Sequence, residues 1–162
     1  MDESVEWSQF PESTVMVMFR GQFSHSVDAK GRVSLPARFR DGFEHGLIVT
    51  PALFDPCLHV FPQRAWEALE EKVAELPSLD PHVVRFRRLY ISAAVECEVD
   101  KAGRVLVPPP LREHARLERD VLCAGMGRHL ELWSKSEWDK ALLLDPAEEE
   151  SFKRAVLEQI KI

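Results

Sequence analysis

The stretch DAKGRVSLPARFR, residues 28–40, recurs as DKAGRVLVPPPLR, residues 100–112. The second copy begins 72 residues after the first, and both carry Asp, Gly, Arg, Val, Pro and Arg at matching positions. Chance would give about one such match between sequences of ordinary composition. Matches at the same spacing continue outside the stretch and pair Val27 with Val99, Val49 with Val121, Leu58 with Leu130 and Trp66 with Trp138. The constant spacing indicates duplication of one unit without insertions.

Each unit is predicted to begin with two strands that are joined by an Asp-x-x-Gly turn. Glycine permits positive φ in such a turn, and the Asp side chain accepts hydrogen bonds from nearby backbone N–H groups. The residues expected to set the two loops are Asp28, Gly31, Asp100 and Gly103. The predicted strands are residues 21–27, 32–35, 47–50 and 57–61, and then 94–99, 104–107, 120–124 and 129–133. Helices are predicted over 63–76, 80–91 and 147–160.

One unit offers too little area to bury a core alone, so we expect the two units to pack together. The predicted fold is α+β, with tandem duplicated β units forming one pseudo-twofold barrel-like core flanked by helices. Residues 1–17 form an acidic extension expected to be disordered. The first repeat spans 18–67, bridging helices span 68–91, the second repeat spans 92–139, and the C-terminal helix lies in 140–162. All belong to one structural domain.

The charge distribution favours nucleic acid although the net charge is −6. Residues 1–17 contribute −4 and residues 145–162 contribute −2, so the region between them is neutral. Within that region, residues 19–40 carry five basic residues and one acidic residue, a local charge of +4. Because exposed charges act over roughly 8 Å at physiological salt, a local basic surface still attracts phosphates.

Arginines at and near the two turns are the candidate DNA-binding residues. Arg32 and Arg104 directly follow the turns, where a guanidinium can bind a base edge or a phosphate, or pair with Asp28 or Asp100; the sequence leaves both alternatives open. The complete candidate set is Arg32, Arg104, Lys30, Arg38, Arg40, Arg112 and Arg20. The first copy is more basic, because Pro110 stands where the first copy has Arg38, and it is expected to lead in DNA contact.

Other classes of site find little support in the sequence. Three scattered cysteines and six histidines form no spacing typical of a zinc site or a disulfide framework, so no metal or cofactor is predicted. No nucleophile with a partner base, P-loop or dinucleotide fingerprint is present, and an enzyme is not expected. No apolar run approaches the ~20 residues of a membrane span, and residues 1–17 lack the features of a secretory signal. A cytoplasmic protein is expected.

Beyond the paired D-x-x-G-R-x-x-x-P motifs, further blocks carry a family resemblance. They are MFRGQF (18–23), LPARF (35–39), RRLY (87–90), ECEVDKAGR (96–104) and LWSK (132–135). With them the chain resembles the MraZ family of the AbrB/MazE-like swapped-hairpin superfamily. The resemblance implies a nucleoid-associated transcriptional regulator that binds repeated promoter sites upstream of the division and cell-wall gene cluster, including its own promoter. It also implies assembly into a ring homo-oligomer.

An interaction protein of the same fold is the alternative, acting as an antitoxin-like or assembly partner without a sequence-specific operator. A disordered C-terminal tail would favour that role, whereas residues 147–160 predict an ordered amphipathic helix. Its apolar residues, Phe152, Val156 and Ile160, either pack on the chain itself or face a neighbour.

Overall fold

The computed structural model describes residues 17–161 and has a mixed α/β fold. Its strands are β1 (Gln22–Ser26), β2 (Arg32–Ser34), β3 (Leu47–Pro51), β4 (Cys57–Pro62), β5 (Val95–Cys97), β6 (Arg104–Leu106), β7 (Asp120–Gly125) and β8 (Leu130–Ser134). Its α-helices are α1 (Ala37–Arg40), α2 (Gln63–Ala74), α3 (Pro81–Phe86), α4 (Pro109–His114), α5 (Lys135–Ala141) and α6 (Pro146–Ile160). A 3₁₀ turn, Asp41–Phe43, follows α1, and a π-helical segment, Arg87–Ile91, continues α3. The order strand, strand, helix, strand, strand, helix therefore occurs twice.

The strand pairings cross between the two repeats. Six strands form an antiparallel sheet in the order β1-β7-β8-β4-β3-β5, and β2 pairs with β6 in a separate two-stranded ribbon. The first strand of each repeat thus pairs with the third strand of the other: β1 with β7, and β5 with β3. The two repeats are interleaved, and the ribbon takes one strand from each.

Two residue pairs mark an approximate twofold axis between the repeats. Val33 lies opposite Val105 in the ribbon, and His59 lies opposite Glu131 where β4 meets β8 in the sheet. The members of each pair are 72 residues apart, so each pair joins the same position of both repeats. An antiparallel pair in which a residue faces its own counterpart has twofold symmetry at that point.

The main core lies between the ribbon and the large sheet. From the ribbon, Val33 and Val105 point inward and are 2% and 4% exposed. The sheet adds alternate residues of its strands, since successive side chains of a strand point to opposite faces. These residues are Leu47, Val49, Leu58, Val60, Val121, Cys123, Leu130 and Leu132. Because both repeats contribute, the core forms only when the two units come together.

Helices cover the other face of the large sheet. There Ile48 and Phe61 pack against Trp66 of α2 and Tyr90 of the π-helical segment. Nearby, Trp133 packs against Trp138 of α5, with ring centroids 5.6 Å apart. These tryptophan side chains therefore serve packing.

The predicted constant spacing between the repeats is wrong at the third strand of each. Leu47 lies opposite Pro62, and Val121 lies opposite Ser134, which is the counterpart of Pro62. Leu47 is therefore equivalent to Val121, and Val49 is not. The second repeat has two more residues before this strand and two fewer after it. The two length changes cancel, so the segments before and after this strand keep a spacing of 72 residues and give no sign of the shift.

The C-terminal helix does not pack on the described part of its own chain. Asp145 caps α6 by accepting from the backbone N–H of Glu148 at 2.8 Å. Every residue from 141 to 160 is exposed, including Phe152 at 47% and Ile160 at 57%. Of the two alternatives for this helix, packing on its own chain is not found among the described residues, and contact with a neighbour stays a prediction.

The predicted disorder of residues 1–17 falls almost wholly on residues 1–16, which lie outside the described residues. Among the residues that are described, no helix combines the length and the apolarity needed to cross a membrane.

Candidate nucleic-acid interface

The first loop, residues 28–32, is held by one carboxylate. Oδ1 of Asp28 accepts from the backbone N–H groups of Lys30 and Arg32, both at 2.9 Å. Its Oδ2 accepts from Nε of Arg32 at 2.6 Å, and Gly31 takes a φ of +86°, which suits glycine. The bond from the Arg32 N–H, with the Arg32 guanidinium and the Lys30 N–H, lowers the pKa of Asp28. The carboxylate is thus charged at neutral pH and fixes both backbone and guanidinium.

The second loop, residues 100–104, repeats this arrangement. Oδ1 of Asp100 accepts from the N–H groups of Ala102 and Arg104 at 2.9 Å, and Oδ2 accepts from Nε of Arg104 at 3.0 Å. Gly103 has a φ of +78°, and the Arg104 N–H again leads in lowering the pKa of Asp100. The ion-pair alternative for the turn arginines is therefore present in both loops. It engages Nε and leaves the terminal amino groups of each guanidinium to other partners.

The ribbon presents both arginines on one face. Arg32 lies opposite Leu106, and Ser34 lies opposite Arg104, whereas the intervening Val33 and Val105 point into the core. Residues opposite each other on paired strands share a face, so the outer face carries Arg32, Ser34, Arg104 and Leu106. The arginine side chains are 29% and 34% exposed. Leu106, 57% exposed, is an apolar group beside them that the sequence did not single out.

Backbone hydrogen bonds tie each loop to the opposite repeat. The carbonyl of Gly31 accepts from the N–H of Val107 at 3.1 Å, and the carbonyl of Gly103 accepts from the N–H of Leu35 at 2.9 Å. These bonds extend the ribbon beyond its paired residues. Each loop is consequently positioned by the other unit and not by its own hairpin alone.

Two candidate arginines cover the glycines of the opposite loop. A Cβ added to Gly31 would collide with the guanidinium of Arg112, and one added to Gly103 would collide with that of Arg40. Nε of Arg40 donates to the carbonyl of Leu35 at 3.1 Å. Nε of Arg112 is buried and has no hydrogen-bond partner within residues 17–161. Both arginines therefore lie beside the loops and pack on them, which their positions on short helices did not predict.

The remaining candidates lie at different distances from the ribbon. Lys30 is exposed in the first loop, and its counterpart in the second loop is Ala102. The guanidinium of Arg38 lies over the ring of Phe23, 5.7 Å from its centroid, on the β1 side of the first repeat. Arg20 precedes β1, at the end away from the loop, about 20 Å along the strand by its rise per residue. The structure does not bring Arg20 to the loops, and its contact with DNA stays a prediction.

The arginines of the bridging segment lie elsewhere. Arg87 donates from Nη2 to the carbonyl of Val73 at 3.0 Å, which joins the π-helical segment to α2. Arg87 therefore has a structural role. Arg85 is exposed on α3, on the far side of the large sheet from the ribbon.

The family model described as "MraZ protein, putative antitoxin-like" matches residues 18–89 and again residues 90–159. The chain belongs to the MraZ family. The two matches coincide with the two interleaved repeats, so MraZ units supply both loops of the ribbon.

Curated MraZ proteins are similar over most of their length. The transcriptional regulator MraZ of Carboxydothermus hydrogenoformans is 48% identical over 122 residues, which are 75% of this chain and 85% of the relative. That of Desulforamulus reducens is 46% identical over 123 residues, covering 76% and 86%. That of Marinomonas sp. is 46% identical over 126 residues, covering 75% and 83%.

Proposed function

We propose that this chain is a transcriptional regulator that binds double-stranded DNA through the outer face of the ribbon. The observation that carries the proposal is the pair of equivalent arginines, each held by an Asp, on the outer face of the ribbon and related by an approximate twofold axis. A two-stranded antiparallel ribbon fits the major groove, where an arginine binds guanine O6 and N7 in a bidentate manner. The names of the MraZ relatives support the regulatory role.

The carboxylates favour base reading over simple phosphate attraction. Each Asp binds its arginine through Nε, and neither hydrogen bond occupies the terminal amino groups, which can donate to a base. A guanidinium held in this way loses little freedom on binding, which favours a fixed geometry against a base edge. Lys30, Arg38, Arg40 and Arg112 would then contact the phosphates on either side, with Arg40 and Arg112 also bracing the loops.

The proposed target is a set of repeated sites upstream of the division and cell-wall gene cluster, including the promoter of this chain's own gene. One ribbon offers few contacts, so we propose that a ring homo-oligomer engages several repeats at once. Avidity of this kind raises affinity by ~10²–10⁴ without any new contact. The unpacked helix α6 supports assembly, because its apolar side chains have no cover from the described part of the chain.

We further propose that the crossed strand pairing is the swapped-hairpin arrangement of a single barrel-like structural domain. The shared core supports this, since neither repeat encloses it alone. Such a regulator would act in the cytoplasm in association with the nucleoid.

The test is DNA binding by the full chain, measured by fluorescence anisotropy with the region upstream of its own gene and with a shuffled duplex. We expect preference for the upstream region and a steep loss of affinity with salt. Arg32→Ala should reduce the preference roughly ten-fold to a hundred-fold and leave assembly unchanged in size exclusion. Arg85→Ala is the matched control, because it removes an exposed arginine on the far side of the sheet. Equal affinity of the wild type for both duplexes would refute sequence-specific binding.

A further inference from the structure

A group of metal-ligating side chains lies on the twofold axis, on the helix-covered face of the large sheet. Cys57 and His59 are two positions apart on β4 and share that face, and Glu131 of β8 lies opposite His59. The thiol, an imidazole nitrogen and a carboxylate oxygen of the three residues all lie within 4.8 Å of one another. Sequence spacing gives no sign of this group, because Glu131 comes from the other repeat.

Neighbouring side chains orient the two polar ligands. Nδ1 of His59 lies 2.6 Å from the hydroxyl of Tyr90, and Nε1 of Trp133 donates to Oε1 of Glu131 at 3.0 Å. The remaining atoms, Nε2 of His59 and Oε2 of Glu131, face each other at 3.2 Å. In metal sites a ligating imidazole usually has its second nitrogen engaged in this manner, and a ligating carboxylate is likewise hydrogen-bonded.

We propose that Cys57, His59 and Glu131 bind a zinc-type divalent cation that joins the two repeats. Thiolate, imidazole and carboxylate together suit Zn²⁺, which takes all three donors in tetrahedral geometry. Three protein ligands leave the fourth position to water. The three ligands lie across the large sheet from the ribbon, so metal binding there is independent of DNA binding.

The geometry requires only small movements. Bond lengths of about 2.0–2.3 Å in a tetrahedral site place ligand atoms roughly 3.3–3.8 Å apart. The His59–Glu131 separation of 3.2 Å is close to this range, and all three ligand atoms already lie within 4.8 Å. Cys57 is fully buried, whereas the side chains of His59 and Glu131 are 20% and 12% exposed, which leaves a path for the ion. When the sulfur–metal bond forms, the thiol proton leaves to solvent.

The position on the axis gives the ion a structural consequence. His59 and Glu131 are counterparts in the two repeats, and a metal between them links the central strands β4 and β8 directly. A ligand that binds only the folded state stabilises it by an amount that rises with the logarithm of its free concentration relative to Kd. Zinc should therefore raise the thermal midpoint of the intact chain.

The experiment is titration of the metal-stripped full chain with Co²⁺ and then with Zn²⁺. We expect a thiolate-to-cobalt charge-transfer absorption that Zn²⁺ abolishes, together with a higher thermal midpoint in Zn²⁺. Cys57→Ser should lose the absorption, and His59→Gln and Glu131→Gln should each weaken Co²⁺ binding at least about ten-fold.

Cys123→Ser is the matched control, since Cys123 is also a buried strand cysteine but points into the main core. It should keep the absorption. Circular dichroism establishes that each variant is folded, and His59→Gln decides the question if Cys57→Ser does not fold. No thiolate absorption in the wild type, or an absorption that survives in folded Cys57→Ser, would overturn the proposal and leave the group as a hydrogen-bonded network.

Discussion

Nη1 of Arg104, in the second loop, lies 3.9 Å from Oδ2 of Asp28, in the first loop. Arg104 also pairs with its own Asp100 and is therefore near two carboxylates, whereas Arg32 pairs with Asp28 of its own loop. The approximate twofold axis thus relates two loops that differ in electrostatics. Asp28 is the carboxylate that both arginines approach.

This difference predicts unequal contributions to DNA binding. Arg32→Ala should weaken binding to the upstream duplex more than Arg104→Ala, because the second guanidinium is more fully neutralised. A bidentate arginine–guanine contact contributes about 1–3 kcal/mol, so the larger loss should be roughly ten-fold to a hundred-fold. Anisotropy titrations at one salt concentration measure both variants. Equal losses of affinity in the two variants would show that the two loops contact DNA equivalently despite their difference in local charge.

Asp28→Asn should lower the preference for the upstream duplex and raise the affinity for DNA of any sequence. The amide keeps an oxygen that accepts from the N–H groups of Lys30 and Arg32 but removes the charge that holds the guanidinium. We expect tighter binding to shuffled DNA, a steeper dependence on salt and a smaller preference for the upstream duplex. Asp41→Asn, which removes an exposed carboxylate outside the loops, is the control. An unchanged ratio of affinities would show that Asp28 does not orient Arg32 for base reading.

The contact between Arg112 and the first loop should affect the free energy of unfolding of glycine variants in that loop. Gly31→Ala places a Cβ at positive φ and against the guanidinium of Arg112, whereas Gly46→Ala meets a similar φ of +101° with only the Gln63 oxygen at 3.8 Å. Backbone strain alone should lower the free energy of unfolding of Gly46→Ala by about 1–2 kcal/mol. In Gly31→Ala the collision with Arg112 should lower it by about a further 1–3 kcal/mol. Urea unfolding gives both values.

A double variant separates the two causes. Adding Arg112→Ala to Gly31→Ala should recover the collision part of the loss but not the strain. If the two changes are additive, Arg112 does not press on the loop in solution.

The loop carboxylates predict part of the acid sensitivity of the fold. Hydrogen bonds lower the pKa of Asp28 and Asp100 below the ordinary value of 3.8, so the folded state binds fewer protons than the unfolded state. Their contribution to stability is complete above the ordinary pKa and is lost as the pH falls from there through the lowered pKa of the folded state. Asp28→Asn/Asp100→Asn should therefore lose less stability than the wild type between about pH 5 and pH 2 in urea unfolding. If the double variant loses stability with falling pH as steeply as the wild type does, other groups cause the acid sensitivity.

The sequence predicted the loops well because their geometry is local. An Asp, a glycine with positive φ and an arginine four residues after the Asp are enough to build the turn, and all three are visible in the chain. The strands along the chain also followed from the repeat, whereas their order in the sheet was not predicted. Two contacts could not be predicted: Arg112 packs on Gly31, and His59 pairs with Glu131. Both join residues of different repeats, and spacing along the sequence carries no information on such contacts. The shift at Leu47 was hidden because two opposite length changes cancel.

Helix α6 should carry a contact between subunits of the proposed ring. Phe152, Val156 and Ile160 follow one another at intervals of four residues and form a stripe along one face of the helix. Phe152→Ser/Val156→Ser should reduce the assembly mass in size exclusion with light scattering. Arg154→Ser, on the opposite face, should leave the mass unchanged. Since each ribbon remains intact, the double variant should bind a single site as the wild type does and lose affinity only for DNA with several sites. An unchanged mass would place the assembly contact elsewhere on the chain.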